Sequence, residues 1–157
     1  ANAGNPDIAI RERFTGNHEA LVFVANYYNE EHTGNVTYTH PGNGETIPMP
    51  YTQPEMLLPA IYGILTPVCL EVAKELKILH STSDILKIDA SEGKLQITLY
   101  GDRDLVGEVV FEGPGIKNIS TATLQGNTIE PIVDPSRIAF AYNHLHKSEM
   151  MLTINLR

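Results

Sequence analysis

The sequence has no tryptophan, one cysteine among 157 residues, and 11 lysines and arginines against 19 acids. A lone Cys69 cannot form an internal bridge, which excludes a disulfide-stapled scaffold and leaves the redox compartment open. Without tryptophan, a sugar-binding surface lacks its largest flat ring. A net charge of −8, with no two basic residues adjacent, repels phosphate backbones and anionic lipid, so neither nucleic acid nor a membrane surface is expected as a partner. No stretch reaches the roughly 18 apolar residues of a membrane-spanning helix. Ala1-Asn2-Ala3-Gly4 has neither an initiator methionine nor a basic-then-apolar signal pattern, and reads as a vector remnant.

With 42% hydrophobic residues, the chain is rich enough in apolar surface to fold as one domain over residues 1–157. Its periodicity is two nearly throughout. Glu19 to Tyr28 is a β-branched and aromatic run, Asn29 to Gly34 a turn, and Asn35 to His40 an alternating segment placed as its hairpin partner. Lys94 to Tyr100 and Leu105 to Phe111 read as two strands joined by a short polar loop. Ile116 to Leu124, Thr128 to Val133, Arg137 to Tyr142 and Met150 to Leu156 are further strand-length segments. The stretch with Pro48, Pro50, Pro54 and Pro59 suits a sheet edge or a crossover. Val68 to Leu79 satisfies both a helical face and an alternation broken at Ala73-Lys74-Glu75; its proline-punctuated approach and strand neighbours favour two strands.

The expected architecture is therefore an all-β antiparallel sandwich of Greek-key or jelly-roll type with at most one short helix. Its core draws on Leu21, Phe23, Val36, Ile97, Leu99, Val109, Phe111 and Phe140.

Candidate chemistry is sparse. Glu30-Glu31 share one polar turn, and Glu71, Glu75 and Glu108 are scattered, so the acids read as solvated surface rather than a glycosidase pair. His144 and His146, with Glu149 or Asp134, have metal-ligand residue types, but a polar loop explains them more simply. Cys69, between Val68 and Leu70, reads as a buried inert thiol. Ser81-Thr82-Ser83-Asp84 lacks a nucleophile elbow and suits side-chain bonding within a turn. Gly113-Pro114-Gly115 is punctuation without the lysine of a phosphate loop. Tyr27, Tyr28, Tyr51 and Tyr62 are the rings with which a stand-alone carbohydrate-binding module would work. No catalytic residue, cofactor site or metal ligand is assigned.

Leu76 to Ile88, with His80-Ser81-Thr82-Ser83-Asp84 inside it, precedes Leu95-Gln96-Ile97-Thr98-Leu99-Tyr100-Gly101 and then Gly107-Glu108-Val109-Val110-Phe111. That order resembles the β-sandwich region following the catalytic barrel in β-galactosidases of glycoside hydrolase family 35. Arg13 to Asn26 is similar to the opening of that region, and the resemblance covers residues 10 to 112. Relatives often carry Glu at the position of Asp84 and Tyr at that of His80. The resemblance implies that the acid and nucleophile lie on a (β/α)₈ barrel outside these residues, and that the chain is a non-catalytic module packing against that barrel of the same polypeptide. The terminal Met150 to Arg157 still reads as strand, as expected of a domain cut from a longer protein.

Overall fold

Two kinds of apolar run sort the strands into layers. Lys94–Tyr100 buries Leu95, Ile97 and Leu99 and turns the residues between them outward, as a strand with one wet face does. Val106–Glu112 buries consecutive residues from Gly107 to Phe111, so both of its faces are covered. The computed structural model describes residues 1–16, 18–102, 105–144 and 149–157.

Val106–Glu112 is the centre of the middle sheet, whose order is Ile132–Val133, Arg137–Asn143, Val106–Glu112, Leu76–Ser81 and Leu70–Ala73, the first and last being its more exposed edges. Behind it lies a sheet ordered Asp84–Ser91, Lys94–Tyr100, Met150–Leu156, Ile119–Leu124 and Asn127–Thr128. In front are Ile8–Phe14, Ala20–Asn26 and Tyr62–Val68, a second sheet of Asn2–Ala3, Val36–Thr39 and Thr46–Met49, and the pair His32–Gly34 with Met56–Leu58. The pairings are antiparallel. Among the described residues the 3-10 turn Pro114–Asn118 is the sole helical element, and no helix is long and apolar enough to cross a membrane.

The fold is thus all-β, antiparallel and sandwich-like, and it carries a third layer. Ile78, Val109, Phe111 and Phe140 of the middle sheet pack on Leu95, Ile97, Leu99, Leu152 and Ile154 behind. Leu79, Val110 and Ala139 face forward onto Val22, Val24, Val36, Tyr38, Ile47 and Ile64.

The ambiguous segment is two strands, Leu70–Ala73 and Leu76–Ser81, joined tightly through Glu75 at φ 56°. Gly113-Pro114-Gly115 closes over this turn: the Gly115 amide donates to the Glu75 carbonyl at 2.8 Å, and a Cβ there would sit 2.7 Å from the Lys74 carbonyl oxygen.

Other expectations change. Leu21 is 37% exposed and Phe23 half-buried, because Ala20–Asn26 is apolar at both parities and sends Val22 and Val24 inward instead. That strand pairs with Ile8–Phe14 and Tyr62–Val68, not with Val36–Thr39, and the expected turn contains the strand His32–Gly34. Lys94–Tyr100 and Val106–Glu112 are not a hairpin; they lie in the back and middle sheets and face each other across the core. The first pairs instead with Asp84–Ser91 through Glu92-Gly93, where Gly93 has φ 74°. Asn2 and Ala3, read as a remnant, pair with Thr37 and Val36.

Candidate functional site

Period two places the polar groups. Along Val106–Glu112, Glu108, Val110 and Glu112 share the forward face, and the register brings Arg137 beside Glu112. The register of Leu76–Ser81 slips between Ile78 and His80, so Leu79 enters the front core and His80 also turns toward Tyr38 and Glu108. Charges on a strand covered on both faces must be paired within the protein.

Glu108 is 1% exposed, which corrects its reading as a solvated acid. Its Oε2 accepts His80 Nε2–H and the Tyr51 amide, each at 2.7 Å. Its Oε1 accepts the Thr52 amide at 2.9 Å and the Thr52 hydroxyl at 2.7 Å. Burial pushes the Glu108 carboxyl up, but the hydrogen bonds and charge of His80 and the bonds from Thr52 outweigh it, and the net direction is down. His80 Nδ1 lies 2.6 Å from the Tyr38 hydroxyl, and burial drives that phenol well above its ordinary range.

A second cluster adjoins it. Glu112 Oε1 lies 2.7 Å from His40 Nε2 and 3.3 Å from Cys69 Sγ, and Arg137 donates to Glu112 Oε2 at 3.4 Å and to Glu45 at 2.9 and 3.4 Å. The Arg137 guanidinium also stands 5.6 Å over the Tyr51 ring, whose hydroxyl donates to Asp134.

One atom each of His40, Cys69 and Glu112 lies within 4.8 Å of the others, near enough to suggest a metal centre or a nucleophile. The hydrogen bonding argues otherwise. His40 Nδ1 accepts the Gly42 and Asn43 amides at 3.0 and 3.2 Å, so in the neutral ring the proton is on Nε2, the nitrogen facing Cys69 and Glu112. No lone pair is left there for a metal ion or a thiol proton. Burial and the Glu112 charge push the Cys69 thiol up to about 12, and Arg137 already neutralises the carboxylate. Native Cys69 is therefore expected to stay unmodified by a disulfide reagent at neutral pH, and the chain to retain no zinc after dialysis. One equivalent of zinc lost in Cys69→Ser would contradict this.

The Ser81–Asp84 segment makes the expected turn bonds, Ser81 Oγ to Ser83 O at 2.7 Å and Ser83 N to Ser81 Oγ at 3.1 Å. Ser83 Oγ also lies 2.6 Å from His144 Nε2 and 2.6 Å from the Tyr142 hydroxyl, while His144 Nδ1–H donates to Leu105 O at 2.8 Å. The proton order is consistent: Tyr142 donates to Ser83, which donates to His144, and burial lowers the His144 pKa and keeps the ring neutral. This is nucleophile–base geometry without access. Ser83 is fully buried, and a Cβ added at Gly107 would meet His144 and Tyr142 at 2.6 Å and Ser83 Oγ at 2.7 Å, so no acyl group reaches it.

Both His144 nitrogens are thus spent, Asp134 is held by Tyr51 and the Ser136 and Arg137 amides, and His146 lies outside the described residues. Glu30, Glu31, Glu71 and Glu75 are exposed as expected. Glu108 and Glu112, four residues apart on one strand, are separated by about 13 Å of backbone, beyond the roughly 5–9.5 Å of paired glycosidase carboxyls. Of the tyrosines, Tyr27 is 66% exposed and shares a shallow groove with Tyr62, Tyr28 meets the His32 ring edge, and Tyr51 is engaged with Asp134. His40, Glu112, Arg137 and Tyr142 had no motif to announce them; the available signal was an acid at each end of the apolar run Glu108-Val109-Val110-Phe111-Glu112.

Fold and site together define an all-β, sandwich-like module of a kind consistent with a non-catalytic accessory or carbohydrate-binding unit. No protein-family model and no curated protein matches the chain.

Proposed function

We propose that the chain is an accessory, non-catalytic β-sandwich module of a larger glycoside hydrolase of the β-galactosidase type, acting in carbohydrate metabolism by packing against and supporting a catalytic (β/α)₈ barrel. The observation that carries this reading is that the buried ionisable groups Glu108, His80, Arg137, His144 and Cys69 are each held by a partner inside the chain. Ionisable groups satisfied in this way rigidify a scaffold. The segments that resemble family 35 supply Leu76–Ser81, Asp84–Ser91, Lys94–Tyr100 and Val106–Glu112, the strands around which the middle and back sheets are built.

The coding sequence around this chain tests the reading: a (β/α)₈ barrel with paired glutamates upstream supports it, and its absence from the gene contradicts it. A second reading, a carbohydrate-binding module, is favoured by exposed Tyr27 above the groove shared with Tyr62. Chemical-shift titration with galactose and β-galacto-oligosaccharides separates the two. Saturable shifts removed by Tyr27→Ala would select the binding module; flat spectra select the scaffold.

A further inference from the structure

One cross-strand row of the middle sheet alternates in charge. Register sets Arg137 beside Glu112, Glu112 beside Lys77, and Lys77 beside Glu71, so plus and minus alternate across the strands Arg137–Asn143, Val106–Glu112, Leu76–Ser81 and Leu70–Ala73. Cross-strand neighbours share a face, and in an isolated pair Lys77 would neutralise Glu112. Here it does not. Glu112 is taken by His40 on one oxygen and by Arg137 on the other, and Lys77 has no ion-pair partner among the described residues.

A groove of about 840 Å³ opens over this row, a size within the usual range for a small-molecule site. Its floor is fixed in place: the side chains of Glu112 and Arg137 are 14% and 10% exposed, and each is also held from a second direction, Glu112 by His40 and Arg137 by Glu45. The 3-10 turn Pro114–Asn118 adds Ile116 and Lys117 to the lining, and the turn before Glu45 adds Asn43. Lys117 is exposed and, like Lys77, lacks a carboxylate within ion-pair distance among the described residues. Asn43 spends its oxygen on the Glu45 amide and keeps its NH₂ group unspent among the described residues.

These groups select a ligand chemistry. Arg137 already holds carboxylates of the chain, so an incoming anion is directed to the two free ammoniums, whose flexible stems let them converge on it. Glu45, Glu75 and Glu112 line the same groove, and three carboxylates repel a phosphate dianion more strongly than a monoanion. The Asn43 NH₂ group and the exposed Glu75 carboxylate offer a donor and an acceptor to hydroxyls, and Ile116 offers an apolar flank to the C–H groups between them.

We propose that this groove binds a sugar acid, its single carboxylate taken by Lys77 and Lys117 and its hydroxyls by Asn43 and Glu75. The site is separate from the Tyr27 groove, and it holds whether or not a barrel accompanies the chain.

Chemical-shift titration of the 157-residue chain with galacturonate at neutral pH tests the site. Saturable shifts are expected at Asn43, Lys77, Ile116 and Lys117. Lys77→Met or Lys117→Met should each weaken binding about tenfold, the loss of one charge-assisted contact, without moving the melting point. Galactose lacks the carboxylate, acetate lacks the hydroxyls and galactose 6-phosphate carries a second charge, so each should bind at least about tenfold more weakly. Flat spectra with galacturonate, or shifts that both lysine variants leave intact, would overturn the site. Acetate, galactose or galactose 6-phosphate binding as tightly as galacturonate would overturn the ligand class. The accessory reading is decided separately, by the gene around the chain, and none of these outcomes touches it.

Discussion

Replacing Glu108 with alanine is expected to destabilise the fold by about 3–5 kcal/mol, the usual consequence of removing one member of a buried charged network. The carboxylate receives His80 Nε2–H, the Tyr51 and Thr52 amides and the Thr52 hydroxyl in a site 1% exposed. Alanine leaves those donors without an acceptor and without water. Glu108→Gln keeps the shape but loses the charge, and should cost less, about 1–3 kcal/mol. The same residue shapes the acid limb of stability. Its folded pKa lies below the ordinary glutamate value of about 4.5, so between the two values the unfolded chain binds more protons. The stabilisation is present above about 4.5 and is lost as pH falls through the folded pKa. Urea titrations across the acid range should show this slope in the wild type and a flatter one in Glu108→Gln; identical slopes would show that Glu108 is not held as described.

Phe111→Ala is expected to cost a similar amount, about 3–5 kcal/mol. Phe111 is fully buried between the middle and back sheets and meets Phe140 edge-on, with centroids 6.0 Å apart and planes at 79°. Its strand is hydrogen-bonded on both sides, to Leu76–Ser81 and Arg137–Asn143, so the backbone has little freedom to collapse into the cavity. Leu21→Ala is the internal control: at 37% exposure it should change stability by less than about 0.5–1 kcal/mol. Melting of the two variants side by side checks the layer assignment. Equal losses would mean that Leu21 and Phe111 share one environment.

What could be read from residues alone follows from where a face is wet. Lys94–Tyr100 alternates because one side meets water, so its strand and its buried set were both visible. Ala20–Asn26 and Val106–Glu112 are apolar at both parities, and that pattern identifies a strand without saying which face is which. Alternation alone therefore turns Leu21 and Phe23 inward, whereas Val22 and Val24 occupy the core. Pairing was harder still. The loop between Lys94–Tyr100 and Val106–Glu112 is short enough for a hairpin, and only the competing Glu92-Gly93 turn decides that it crosses between sheets. The polar site was least legible, because Glu112 meets His40 from 72 residues away, Arg137 meets Glu45 from 92, and no local spacing encodes either. Cys69 was read correctly as buried, since Val68 and Leu70 flank it, but its neighbours His40 and Glu112 come from other strands and loops.

The central claim is that this chain supports chemistry done elsewhere. Its most direct test is hydrolysis of an aryl β-galactoside by the 157-residue chain and by the longer, barrel-bearing polypeptide that the proposal calls for, each as wild type, Glu108→Gln and Glu112→Gln. The account predicts no turnover by the chain alone, and in the longer protein a rate per folded molecule that neither substitution changes. Turnover by the isolated chain, or a folded Glu108→Gln or Glu112→Gln protein that has lost its kcat, would contradict it.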